Sequence, residues 1–248
     1  MPYKVLPLIA CLFPLYAHAE TATPRTWDVG LAVTANQSPF VDGDTVISAR
    51  PVKLNNSGFD IPGITWSFSK APQREFYVGA GLDEWDHERG DSQTLSDMRK
   101  LDRAVNVRVG GAWKLPSGVA NVDVAQDVAN AHKGTQAKLR YTHNPAPHQA
   151  SVRPYVEAQW LSSKLTDYYV GVDAAEVKAG RPAYQAGSAV ALKTGLTLRK
   201  ALTPKLTLVG GVDASHYGSA ITDSPLVERS TVWGTYAGMT YRWQGARR

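Results

Sequence analysis

One cysteine stands in the whole chain, Cys11, and nothing after it carries a thiol. That excludes a disulfide framework and any cysteine-held metal from everything beyond the N-terminus. Long apolar runs are lacking too. Only Val5–Tyr16 is continuously apolar, which is short of the ~20 residues a helix needs to cross a bilayer. Charge of one sign never clusters: 27 Lys and Arg and 22 Asp and Glu are interspersed to give +5, so there is no polybasic footprint for nucleic acid. Nor is there a glycine-rich phosphate loop, since Gly110-Gly111 and Gly210-Gly211 fall inside strand-like segments, where small residues allow close packing.

What the N-terminus does contain is an export signal. Lys4 supplies the positive charge, Val5–Tyr16 the apolar stretch, and Ala17-His18-Ala19 before Glu20 an A-x-A cleavage site. Residues 1–19 are therefore expected to be removed, leaving 20–248 as a single domain. The net charge then falls from +5 to +4 as Lys4 departs. Leu8-Ile9-Ala10-Cys11 also resembles a lipobox, but the apolar core continues past Cys11 through Phe13, Leu15 and Tyr16, which argues against lipidation there.

The mature part is built from segments apolar at every second residue. Val105, Val107, Val109, Gly111, Trp113 and Leu115 alternate with Asn106, Arg108, Gly110, Ala112 and Lys114, which puts the two sets on opposite faces of a strand. The turn Leu115-Pro-Ser-Gly118 follows, and then Val122, Val124 and Val128 against Asn121, Asp123 and Asp127. The same rhythm returns with Leu192, Leu196 and Leu198 against Lys193, Thr197 and Arg199, and with Leu206, Leu208 and Val212 against Lys205, Thr207 and Asp213. A soluble sandwich also alternates. These segments, however, run about 10–14 residues, as tilted membrane strands do, rather than the 5–6 usual in soluble sheets. Their polar faces mix both charge signs, which fits a narrow lumen filled by paired side chains. The fold class read from this is all-β: a closed antiparallel transmembrane β-barrel in the outer membrane of a Gram-negative bacterium.

The expected strands are 27–35, 44–54, 57–67, 73–83, 103–115, 118–130, 134–142, 151–162, 186–200, 204–217 and 230–243. Single-chain bacterial barrels use even numbers. The count becomes twelve, the favoured reading, if Thr166–Asp173 adds a short strand, and ten if the Trp27 segment does not span. Twelve would put the polar stretch Asp83–Asp102 in the periplasm; ten would put it outside the cell.

The C-terminal third carries further motifs: Tyr168-Tyr169-Val170-Gly171-Val172, then Gly180-Arg181-Pro182-Ala183-Tyr184, then Asp223-Ser224-Pro225-Leu226, and a final Thr240-Tyr241-Arg242-Trp243. Together with Met98-Arg-Lys-Leu-Asp-Arg103, their order and spacing resemble the MipA/OmpV family of outer-membrane barrels. That resemblance implies a non-enzymatic scaffold that brings a murein-cleaving lytic transglycosylase together with a murein synthase. Its contact surface would be periplasmic turns, foremost Asp83–Asp102 in the twelve-strand reading. Two other functions stay open: a small-solute or drug-permeable channel governed by lumen charges such as Arg108, Lys193 and Asp213, and a surface adhesin working through the 174–185 and 218–229 loops.

No constellation demands catalysis. Gly90-Asp91-Ser92 and Asp213-Ala-Ser-His216 look like pieces of a hydrolase triad, with Ser92 as nucleophile, His216 as base and Asp213 orienting it. Ser92, however, sits in a polar loop, and Asp213 and His216 point to opposite faces of one strand. Asp86-His-Glu88, His132, His143 and His148 lack metal-ligand spacing and read as solvated turn residues. Tyr168, Tyr169 and Tyr184 read as interfacial anchors and loop packing, or as a recognition patch. No catalytic residue, metal or cofactor is expected, and the partners are outer-membrane lipid and the two murein enzymes.

Overall fold

The structure, a computed structural model, describes residues 26–53, 64–83, 89, 92–144 and 152–244. The expected signal with Ala17, Ala19 and Glu20 lies outside the described residues, as do the first part of the 57–67 window, His148 and the Asp86–Glu88 stretch.

Among the described residues the alternating segments fold as eleven strands: β1 (Thr26–Gln37), β2 (Thr45–Lys53), β3 (Ile64–Ala71), β4 (Arg74–Leu82), β5 (Val105–Leu115), β6 (Gly118–Asp127), β7 (Thr135–His143), β8 (Val152–Leu161), β9 (Ala189–Ala201), β10 (Leu206–Tyr217) and β11 (Thr231–Gln244). Two short helices, α1 (Ser163–Val170) and α2 (Ser219–Thr222), lie in the connections. The strands form one sheet in the order β2-β1-β11-β10-β9-β8-β7-β6-β5-β4-β3, and every neighbouring pair is antiparallel. Eleven strands with strict alternation make the two edges, β2 and β3, run in the same sense.

Two expectations about strand number fail. The Trp27 segment is a full strand, paired with β11 from Thr26↔Gln244 to Asn36↔Gly234, so the ten-strand reading does not hold. The segment 166–173 is not a strand. Its first part is the end of α1, because Leu165, Tyr168 and Tyr169 share one helical face that packs into a core instead of alternating across a sheet.

The tightest turns and the two longest connections fall at opposite ends, although the eight-residue connection 144–151 shares the end of the tight turns. Short turns at 72–73, 116–117 and 202–205 lie at one end, with the start of β1 and the end of β11. The connections 38–44, 83–104, 128–134, 162–188 and 218–230 lie at the other. Asp83–Asp102 therefore sits with the 174–185 and 218–229 loops and away from the chain termini, which corrects the periplasmic placement tied to a strand at 166–173.

Side chains are distributed inside out compared with a soluble protein. Leu31, Val109, Val124, Leu139, Val156, Leu192 and Val212 are exposed, while Asn106, Arg108, Asn121, Asp123, Gln136, Lys138 and Glu157 are buried. That inversion suits a wall whose outer solvent is lipid. Exposed aromatics bound the apolar zone. Trp66, Trp160 and Trp233 stand toward the loop end, Tyr241 and Trp243 at the turn end. Trp233 and Trp243 are separated on β11 by roughly 33 Å of strand, about 25 Å once tilted as barrel strands are. At Gly110 a Cβ would lie 2.3 Å from the Tyr77 hydroxyl, so only glycine leaves room for that ring inside.

Candidate functional site

The densest apolar packing lies at the loop end, outside the sheet itself. Phe40, Leu95, Met98, Leu161, Leu165, Tyr168, Tyr169, Val170, Val172, Ala186, Ala189, Ile221 and Leu226 form one buried core drawn from four connections. These loops form a cap with its own hydrophobic centre, which the burial of Phe40, Val170, Ile221 and Leu226 to 0 % exposure makes dry.

Arg89 holds α1 in place. Its side chain is 3 % exposed and donates to the carbonyls of Tyr168 (3.2 Å) and Gly171 (2.8 Å) while pairing with Glu176 at 3.2 Å. These carbonyls are the ones left without partners at the end of a helix, and a cation there is favoured by the helix dipole. A Cβ at Gly171 would lie 2.4 Å from the Asp167 carbonyl. The Ser224 hydroxyl donates to the Val170 carbonyl at 2.6 Å, joining the Asp223-Ser224-Pro225 loop to the same helix end.

The motif residues therefore come together. Val172 and Tyr184 form a backbone bridge, and the Tyr184 hydroxyl donates to the Ala220 carbonyl at 3.2 Å. Arg181 grips Asp97 through both terminal nitrogens, at 2.9 and 2.7 Å. The hydrogen bonds from Arg181 and Lys178 hold the Asp97 carboxyl well below the usual carboxylate range. Pro182 and Ala183 stay exposed on the cap surface, as does Asp223. Tyr168 and Tyr169 are buried in the cap, so they serve as loop packing and not as interfacial anchors or an exposed recognition patch. Tyr241 and Trp243 remain on the outer face of β11, as expected of a terminal strand.

Beneath the cap lies a polar network. The Tyr169 hydroxyl donates to Asp83 Oδ2 at 2.7 Å, and Gln136 and Asn106 donate to Asp83 Oδ1 at 2.9 and 3.1 Å. His132 Nε2 lies 3.4 Å from Asp83. Burial opposes ionisation of Asp83, but the bonds from His132, Tyr169 and Gln136 outweigh it and lower its pKa. Burial and the adjacent Asp83 charge push the Tyr169 hydroxyl far up, so it stays a donor. His132, read from the sequence as a solvated turn residue, has a fully buried side chain. Asp127 organises its loop by accepting the backbone N–H groups of Ala129, His132 and Lys133 at 2.8–2.9 Å.

Below this, three oppositely charged pairs line the lumen. Arg108 lies 3.6 Å from Asp123, Arg140 3.6 Å from Glu157 and Lys193 3.8 Å from Asp213, and Tyr77 donates to Asp123 at 3.0 Å. The triad pieces each have other partners: the buried Ser92 hydroxyl donates to the Val41 carbonyl, His216 Nδ1 contacts Thr231 Oγ1 at 2.9 Å, and Asp213 faces Lys193. Among the described residues no three His, Cys, Asp or Glu side chains converge as metal ligands. Sequence reasoning missed Arg89, Asp83 and Phe40. Nothing in their local pattern marks them, because their partners lie about 20 to 190 residues away in the chain.

Comparison with known proteins agrees with this architecture. The MltA-interacting protein MipA family matches residues 29–243. The outer membrane protein YiaT of Escherichia coli (strain K12) is 23 % identical over 241 residues, covering 94 % of this chain and 97 % of its own. The outer membrane protein Omp26La of Vibrio anguillarum is 26 % identical over 168 residues, or 67 % of this chain and 63 % of that protein, just under two thirds of its length. Among solved structures, a Pseudomonas aeruginosa FadL homologue aligns with 88 % of this chain and 89 % of its own at 8 % identity and a TM-score of 0.39, too loose a likeness to carry more. With a family match over most of its length and relatives named for the same membrane, the chain is an outer-membrane protein and belongs to the MltA-interacting protein MipA family.

Proposed function

We propose that this protein is a closed, non-conducting outer-membrane barrel that serves as an attachment point for murein-remodelling enzymes, a lytic transglycosylase and a murein synthase, and has no catalytic activity of its own. The observation that carries the non-conducting part is the cap, a dry apolar core drawn from four loops over a lumen crossed by three ion pairs. An ion entering would have to displace Arg108–Asp123 and Lys193–Asp213 and disrupt the packing around Phe40 and Val170. The partner assignment rests on the family, which is described by its interaction with MltA.

Closure follows from energetics. In hydrocarbon an unpaired strand edge is prohibitively costly. Because β2 and β3 run in the same sense, an all-antiparallel wall closes only with one further traversal between them, making twelve. Short turns face the periplasm and long loops the exterior in such barrels, so the cap is extracellular. Docking of murein enzymes then falls to the turn end, at 72–73, 116–117 and 202–205, and no longer to Asp83–Asp102.

Two measurements test this reading. Planar-bilayer recording of the purified chain should show no stable conductance; steady ion-selective steps would favour the channel. A photo-crosslinking residue at Ser117 in growing cells should capture a murein hydrolase or synthase, whereas one at Ala183 should not. Capture from Ala183 alone would overturn the periplasmic scaffold.

A further inference from the structure

Charges at the loop end are sorted by direction on one sector of the wall. Over β5 to β8, acids turn inward: the Asp127 side chain is fully buried and Asp83 faces the His132–Tyr169 network. Cations on the same connections are exposed. Arg99, Lys100 and Arg103 lead into β5, Lys133 sits in the β6–β7 loop, and Lys164 opens α1 directly after β8.

These five come from consecutive connections that touch one another. A Cβ on Gly134, next to Lys133, would meet Leu165, next to Lys164. Tyr168, one turn beyond Lys164, donates to the Asp102 carbonyl beside Arg103, and the Arg99 guanidinium stacks 5.6 Å over its ring. His132 lies against the same ring at 5.7 Å.

The cations also sit at the height of a lipid surface. Arg103 continues the outward-facing set Val105, Val107 and Val109 by two residues. Lys133 follows the exposed Val128, and Lys164 follows the exposed Trp160, which marks the edge of the apolar zone. A long cationic side chain there reaches the headgroup layer while its stem lies along the wall. The nearby exposed acids are Asp97, held by Arg181 and Lys178, Asp102, and Asp173, the last 3.5 Å from Arg99.

We propose that this rim, Arg99, Lys100, Arg103, Lys133 and Lys164 above β5–β8, binds the phosphate groups of a phosphorylated glycolipid in the outer leaflet. The placement rests on the extracellular orientation of the loop end proposed above. The chemistry is that of a basic cluster immediately beyond an apolar span, which attracts anionic headgroups with a contribution from each cation. Recognition lies on the sector where Asp83 and Asp127 face inward and the exposed Asp97 and Asp173 are already paired with cations.

The test uses the purified full-length chain in a neutral detergent, titrated with diphosphorylated lipid A, with dephosphorylated lipid A and with inorganic pyrophosphate. The wild type should bind the diphosphorylated lipid and lose affinity for the dephosphorylated one. The Lys100→Gln/Lys133→Gln/Lys164→Gln variant should bind on the order of a hundredfold more weakly. The matching Lys→Arg triple variant should retain binding, which guards against loss through misfolding, and Asp102→Asn should tighten it. Equal binding of both lipid forms, an unaffected glutamine variant, or pyrophosphate bound as tightly as lipid would each overturn the proposal. Orientation is read separately: Ala183→Cys should react with an impermeant maleimide on intact cells, and failure there would remove the extracellular placement without bearing on phosphate affinity.

Discussion

Tyr169 and Asp83 meet at 2.7 Å although 86 residues separate them, and this bond ties the helix of the cap to the first residue of the β4–β5 connection. Replacing Tyr169 with Phe keeps the ring and its packing and removes only the donor. Asp83 would then lose one of the bonds that keep its buried charge stable. The expected cost is about 1–3 kcal/mol, confined to the cap. Amide exchange should quicken in 163–171 while the strands stay protected; unchanged exchange would contradict this.

Acid should act on the same contact. The folded-state pKa of Asp83 is held below that of an unfolded aspartate, which is about 4. Its contribution is therefore complete above that value and is lost as pH falls through the folded value. Asp97, exposed and held low by Arg181 and Lys178, shifts in the same direction. The cap is expected to be insensitive from about pH 6 to about pH 8 and to loosen in strong acid, monitored by proteolysis of the 174–185 loop. Loosening on raising the pH instead would reverse the sign of this linkage.

Arg89 makes a sharper case. Truncation to Ala would leave Glu176 and the carbonyls of Tyr168 and Gly171 without their buried cation. Removing one partner of a buried pair costs about 3–5 kcal/mol. The α1 segment should become protease-sensitive, and Arg89→Lys should rescue it only in part, since an ammonium cannot reproduce the planar fork. Full rescue by lysine would argue that charge alone suffices.

In the lumen, Arg108→Met should destabilise the barrel because it strands the buried carboxylate of Asp123. Adding Asp123→Leu should recover much of the loss, because replacing both members of a buried pair by apolar groups is often close to neutral. Urea unfolding of the single and double variants in lipid vesicles tests this. Additive losses would show that the two residues act independently.

The wall was legible because lipid imposes a period of two over long stretches. Val105 to Leu115 and Leu206 to Tyr217 declare their outward faces residue by residue, and ten of the eleven windows match a strand to within a few residues; the 57–67 window overlaps β3 only over 64–67, its earlier part lying outside the described residues. The cap was not legible in the same way. Tyr168-Tyr169-Val170-Gly171-Val172 is rich in aromatic and β-branched residues and reads locally as strand, yet Arg89 and Ser224 hold its first part as helix from loops far away in the chain. His132 looked like a turn residue because its hairpin is short. Asp127 takes up the N–H groups of that turn, and this lets the ring face inward. The signature motifs did point to the right places, but as components of packing and not as an exposed patch.

The pairing of β1 with β11 gives the cap a timing. Phe40, just past β1, bridges to Val227, just before β11, and Arg229 donates to the Ser38 and Gly43 carbonyls. Those contacts span nearly the whole polypeptide, so they form only after the last strand has been threaded beside the first. A chain whose last strand is not yet beside the first would therefore leave Phe40 and Leu226 without this packing.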